Sequence, residues 1–141
     1  MLIRNATADI GGVLQPGTEL RIMHGVVQEI GHGLVKGMYE SELDLQGDIL
    51  RPGKVVIRRA VSAAELRRLY RQGVAAVITD CEPAGRIGPV SPRIIIRNPL
   101  PENVPAGLPG LGRIQPGAYA PLTRWSREGR FICAVDEHSA D

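Results

Sequence analysis

The sequence predicts a mixed α/β fold, mainly β, in which one β-α-β unit is set among many short strands. Three observations carry that class. The first third alternates apolar and polar residues in short runs separated by turn residues, as half-buried strands require. A stretch in the middle has helical period and a start signal, and a continuous apolar run follows it.

The first strands gather around tight turns. Leu20-Arg21-Ile22-Met23 and Val26-Val27-Gln28-Glu29-Ile30 alternate on either side of His24-Gly25, which reads as a two-residue hairpin turn. Such a turn of the primed type needs positive φ, which glycine supplies without strain. Gln15-Pro16-Gly17-Thr18 has the Pro-Gly order of a type II turn. Gln46-Gly47 repeats the two-residue device between Leu43-Asp44-Leu45 and Asp48-Ile49-Leu50. Short strands at such close turn spacing point to a sandwich or small barrel.

The middle of the chain follows a different rule. Ser62-Ala63-Ala64-Glu65 forms a capping box, in which the Ser62 side chain accepts from the Glu65 amide while Glu65 reaches back. Leu66, Leu69, Tyr70 and Gly73 share one stripe, with Arg67, Arg68 and Arg71 turned away from it. Gly73 then falls where a helix C-terminus takes glycine. Val74-Ala75-Ala76-Val77-Ile78-Thr79 reads as a strand buried on both faces, and with Val55-Val56-Ile57 it frames a right-handed parallel β-α-β unit. Arg93-Ile94-Ile95-Ile96-Arg97 supplies a third strand, and Asn98 to Gly112, with four prolines and three glycines, is expected to be a loop.

Composition bounds the function. Apolar residues make up 43% and charged residues 23%, an ordinary globular balance. A net charge of +2 is too small to argue for attraction to nucleic acid or membrane. The fifteen arginines against two lysines read as coding bias, and the scarcity of aromatics argues against a base-stacking surface. No window approaches a membrane span and the first residues do not read as a signal peptide, so a cytoplasmic protein is expected. Cys81 and Cys133 lack a CxxC spacing and are expected to be reduced thiols.

Candidate chemistry is sparse. Asp80, Cys81 and Glu82 lie just past the end of the buried strand, where open α/β sheets place ligands. Read plainly, Asp80 caps a turn, Glu82 is solvated and Pro83 ends the strand. A nucleophilic Cys81 wants a histidine base, and only His24, His32 and His138 exist, each in a turn or tail. Those histidines do not have the spacing of a zinc site. Gly85-Arg86-Ile87-Gly88 matches neither phosphate-binding glycine pattern, so no cofactor and no metal is expected.

The order of motifs at the two chain ends says more. Leu2-Ile3-Arg4-Asn5-Ala6 leads to the hairpin Leu20 to Gly31, then to Leu43-Asp44-Leu45-Gln46-Gly47, then to a strand closing on Pro52-Gly53. Later, Gly112 to Ala120 reads Gly-x-Ile-x-Pro-Gly-x-x-Ala, followed by the turn Ser126 to Gly129 and the strand Arg130 to Val135. This order resembles the opening and closing segments of the metal-dependent amidohydrolases, the superfamily of dihydroorotase, imidazolonepropionase and cytosine deaminase. In that family an Asp-x-His-x-His segment follows the Pro-Gly, and its histidines ligate the catalytic metal at the first strand of a barrel. Here Lys54-Val55-Val56-Ile57 stands in that place, and Pro121-Leu122-Thr123-Arg124-Trp125 replaces the Asp after the closing motif. Only 58 residues separate Gly53 from Gly112, whereas a (β/α)8 barrel takes roughly 200–250 residues.

The resemblance implies a discontinuous β-sandwich made by both chain ends, residues 1–53 and 112–136, with residues 54–111 as a β-α-β insert packed on the same core. It implies descent from hydrolases of non-peptide C–N bonds, not their catalysis. The expected function is a non-catalytic composite domain in self-association or protein binding, with a homodimer or an obligate protein partner covering sheet that one helix leaves bare. The alternative is a small hydrolase or ligand-binding protein with its site at Asp80, Cys81 and Glu82.

Overall fold

The computed structural model describes residues 1–88, 90–106, 108 and 110–140. Gly107 and Pro109 of the expected Asn98–Gly112 loop lie outside the described residues. Ten strands and one helix follow in the order β1 (Leu2–Ile10), β2 (Val13–Met23), β3 (Val26–Gly31), β4 (Glu42–Asp44), β5 (Ile49–Arg51), β6 (Lys54–Ile57), α1 (Ala63–Arg71), β7 (Val74–Thr79), β8 (Arg93–Ile96), β9 (Leu122–Trp125) and β10 (Phe131–Val135). The fold is mixed α/β and mainly β, as the residue patterns predict.

Seven strands form one sheet in the order β10-β9-β5-β1-β2-β3, with β4 also paired to β1. The two chain ends meet in it. Strand β5 lies between β1 and β9, pairing Leu50 with Ala8 on one side and with Arg124 on the other. Buried Thr123 ties this seam: its hydroxyl lies 3.2 Å from Arg51 O and 3.3 Å from Pro52 O, and it accepts from the Trp125 indole at 2.8 Å. The sheet bends around a core of Ile3, Leu20, Ile22, Leu45, Leu50 and Leu122, to which Ile114 and Ala118 of the closing motif contribute.

The insert forms a second, three-stranded parallel sheet, β6-β7-β8. Leu66 and Leu69 of α1 pack with Val61, Val74 and Val77, the helical stripe meeting the apolar strand. The Ser62 side chain accepts from the Glu65 amide at 3.1 Å, while the Glu65 carboxylate lies 3.6 Å from both Arg58 and Arg68. All six residues of β7 are buried within the chain. Strand β7 itself therefore leaves no bare face, while β6 and β8 on either side of it are only partly buried.

Two turns depart from the sequence reading. Gln15-Pro16-Gly17-Thr18 lies inside β2, and the β1–β2 turn is made by Gly11-Gly12 instead. The ladder between β1 and β2 shifts register between Ala6 and Ala8, and that irregularity absorbs Pro16 and Gly17 within a strand. Gln46-Gly47 has the two positive φ values of a primed turn but makes no hairpin. Strands β4 and β5 both run parallel to β1, so the turn is a kink that lets one chain segment follow β1 past its own irregularity at Asn5, where φ is +55°. His24-Gly25 does close the β2–β3 hairpin with both φ values positive.

Candidate functional site

At the end of β7, Asp80 accepts from the Ala60 amide at 2.9 Å and from Arg59 at 3.3 Å. The Ala60 amide is the main reason its carboxyl sits below the usual carboxylate range, with Arg59 adding to it. Ala60 has φ of +50°, so Asp80 braces a tight left-handed bend after β6. Cys81 is exposed, yet its thiol is pushed up by desolvation and then by the neighbouring Asp80 charge. Reactive cysteines have the opposite shift. Glu82 is exposed beside them. The structure thus brings the three residues to one edge, with Asp80 engaged in holding the backbone.

The histidines stand apart. His24 is at the exposed tip of the β2–β3 hairpin, His32 is exposed with its Nδ1 2.8 Å from Gly17 O, and His138 is exposed in the C-terminal segment. Among the described residues no three His, Cys, Asp or Glu side chains are grouped so as to hold a metal ion. The described residues thus offer no such group for the metal that the resembling family carries.

A different feature dominates the surface. In the segment between β3 and β4, Tyr39 is 95% exposed, Met38 87% and Val35 83%, the highest values among exposed large apolar residues. Exposed apolar residues on a soluble loop ordinarily turn inward if the backbone lets them. Here the backbone is held. The Leu34 amide donates to Glu19 at 2.7 Å, and Arg4 donates both to Glu19 and to Leu34 O. Arg21 reaches Glu40 at 2.7 Å, Glu29, and Val35 O, while Glu40 accepts from the Gly37 amide at 3.1 Å. These charge-assisted bonds are the stronger kind and are mostly half-buried. Beside the ridge is a hollow of about 430 Å³ bordered by Met1, Arg21, Met23, Val35 and Tyr39. Sequence reading passed over this segment because its apolar residues follow no strand or helix period. A valine, a methionine and a tyrosine within five residues of a glycine- and charge-rich stretch was the available signal.

The same bonds give the ridge a pH dependence. The Leu34 amide first, and Arg4 next, hold the Glu19 carboxyl low; Arg21 first, and the Gly37 amide next, do so for Glu40. A carboxyl lowered by folding stabilises the fold above its unfolded value and loses that contribution as pH falls through its folded value. The segment is therefore expected to loosen below about pH 4, the unperturbed carboxylate range. Protection of the Leu34 and Gly37 amides in hydrogen exchange would fall there while that of β7 holds; parallel loss in both places would refute the idea.

No protein-family model and no curated protein sequence matches the chain. Solved structures do match in fold. A chain from Bifidobacterium longum assigned as a prolidase aligns with a TM-score of 0.51 and 17% identity, over 77% of this chain and 33% of that one. A further amidohydrolase aligns at 0.47 and 17% identity, over 83% and 39%. A D-hydantoinase (dihydropyrimidinase) from Thermus sp. aligns at 0.46 and 16%, over 58% and 20%. This chain thus spans between a fifth and two-fifths of the length of these structures. The fold is thus similar to part of that prolidase-assigned chain. In this chain the two ends pair in one sheet, with a short β-α-β unit between them in sequence.

Proposed function

We propose that this chain is a non-catalytic composite domain whose work is association with protein, in the first place with a second copy of itself, through the ridge of Val35, Met38 and Tyr39. Residues 1–53 and 112–136 act in this reading as one sandwich unit, and residues 54–111 as an attached insert. The observation that carries the reading is that three large apolar side chains are held out in water by a polar network anchored on β1 and β2. Holding a contact surface in place before binding spares the ordering cost of association. Tyrosine and methionine are enriched at protein interfaces. A covered tyrosine removes roughly 150–250 Å² from water, and a stable interface needs about 800 Å² per partner, so the ridge serves as the centre of a larger contact. Val35 and Tyr39 also border the 430 Å³ hollow, so the ridge and the hollow form one continuous surface. A two-fold contact uses the same patch on both copies. Among the described residues no helix is long and apolar enough to cross a membrane. Both cysteines are free, which fits a reducing cytoplasm.

Light scattering across a concentration series tests this. The wild-type chain is expected at twice 15.2 kDa, and a Met38→Asp, Tyr39→Asp double variant at the monomer mass, with association weakened at least about a hundredfold. Both positions are already exposed, so thermal unfolding of the monomer should be unchanged. A wild-type chain that stays at 15.2 kDa up to millimolar concentration overturns the reading.

A further inference from the structure

One cavity lies away from Asp80 and away from the ridge. It holds about 700 Å³ between the exposed side of β1, the β1–β2 hairpin, the kink at Gln46-Gly47 and the turn after β9. That volume falls within the range of small-molecule sites, which are apolar hollows with a few fixed polar groups. Leu14, Pro16 and Ile49 give it an apolar wall; Asn5, Thr7 and Arg127 give it polar groups.

The charge in the cavity is unbalanced. Arg127 has no acidic partner among the ion pairs of the described residues. The carboxylates on either side of Gln46-Gly47 are engaged elsewhere: Asp44 accepts from the Asn5 side chain at 3.1 Å and the Gln46 amide at 2.8 Å, and Asp48 accepts from Arg124 at 2.8 Å. Arg127 is nonetheless fixed. Its Nη2 donates to Gln46 O at 3.1 Å, and its guanidinium lies so close over Gly47 that a Cβ there would fall 2.4 Å from Nη2. One nitrogen is thus used to position the group, and the other donors of the planar fork remain for a ligand. Asn5 and Gln46, with φ of +55° and +52°, hold left-handed backbone on the cavity wall. Strain of that kind persists where surrounding structure enforces it and gathers at ligand sites.

We infer that this cavity binds a small carboxylate with an apolar body, its carboxylate on Arg127 and its body against Leu14, Pro16 and Ile49. The carboxylate comes from a free organic acid or from the C-terminus of a peptide. A planar guanidinium grips either by paired N–H donors, and the apolar wall discriminates against inorganic anions, which offer no surface to bury.

An amide-resolved NMR titration tests the inference with four probes: phenylacetate, its neutral analogue phenylacetamide, inorganic phosphate, and a short peptide ending in phenylalanine with a free α-carboxylate. Saturable shifts of the Asn5, Thr7, Gln46, Gly47 and Arg127 amides are expected with phenylacetate, at least about tenfold weaker with phenylacetamide or phosphate. A stronger response to the peptide assigns the peptide source; a stronger response to phenylacetate assigns the free acid. Arg127→Gln should weaken binding about tenfold or more, and Arg130→Gln, a nearby exposed arginine, should not. If Arg127→Gln disturbs the turn, Leu14→Asn keeps the charge and removes part of the apolar wall, and should also weaken the phenylacetate response. Equal response to acid and amide, shifts centred elsewhere, or full affinity in both the Arg127 and the Leu14 variant overturns the inference.

Discussion

Replacing Gly53 by alanine is expected to destabilise the fold by about 3 kcal/mol, a large fraction of the stability of a small domain. A Cβ at this position would lie 2.1 Å from Pro121 O and 2.6 Å from the Ala75 Cβ. The first of these is backbone, and no side-chain rotation relieves it. Gly53 is the last residue before β6 and is buried where the insert leaves the sandwich. The clash would therefore push the start of β7 and the segment before β9 apart together. Its φ is not in the left-handed region, so the cost is steric and not conformational. Gly88→Ala is the matched control, because nothing stands within 4 Å of its Cβ position and its φ is not left-handed either. That variant should be neutral or stabilising by roughly 0.4–1 kcal/mol. Chemical denaturation of both reads the difference; a Gly53→Ala protein within about 0.5 kcal/mol of wild type would mean the junction is looser than drawn.

Leu50→Ala is the second large effect, at about 2–5 kcal/mol, the range for removing a buried leucine from a packed core. Leu50 has no exposed surface and stands in the main core. Its strand is three residues long and lies between β1 and β9 in the large sheet, paired to both. A cavity there weakens both ladders at once. Hydrogen exchange should show the β9 amides losing protection first, with β7 little changed, because β7 rests on the separate cluster around Leu66 and Leu69. Uniform loss of protection in both sheets would show instead that the two clusters unfold as one unit.

Local signals in the sequence are enough for much of this fold. His24-Gly25 makes its turn because the requirement for positive φ is met by the two residues themselves. The helix is legible for the same reason: Ser62 caps it, Leu66 and Leu69 fall on one stripe, and Gly73 ends it. The motif order at the chain ends makes their shared sheet legible, although the β5–β9 pairing joins residues some seventy positions apart. Gln46-Gly47 shows where local reading stops. The turn chemistry is right, but whether its flanks pair with each other or with a third strand is decided by β1. The candidate sites were harder still. Residues Asp80, Cys81 and Glu82 stood out by type, and only the structure shows Asp80 occupied with the Ala60 amide. The ridge went unread because its posture depends on Arg4, Glu19 and Arg21, fifteen or more positions from most of the backbone groups they hold. Arg127 and Asn5 border one cavity from opposite ends of the chain, a proximity with no trace in spacing.

The seam at β5 and β9 has a consequence for what such a sandwich can carry. Because the β5–β9 pairing holds Arg51 beside Thr123, the segment between them, insert included, is to the large sheet a closed loop of 71 residues. Loop closure grows with the logarithm of length, by about 0.6 kcal/mol for each doubling. Exchanging this insert for a barrel about four times longer would change that term by only about 1.2 kcal/mol, less than the loss of one buried leucine. A scaffold of this shape is nearly indifferent to the size of its cargo. What it does not tolerate is a misplaced root: Gly53 and Gly73 at the start of the insert's sheet leave no room for a methyl group against Pro121 and Thr123. The freedom lies in the length of the passenger, and the constraint in the few ångströms where it is docked.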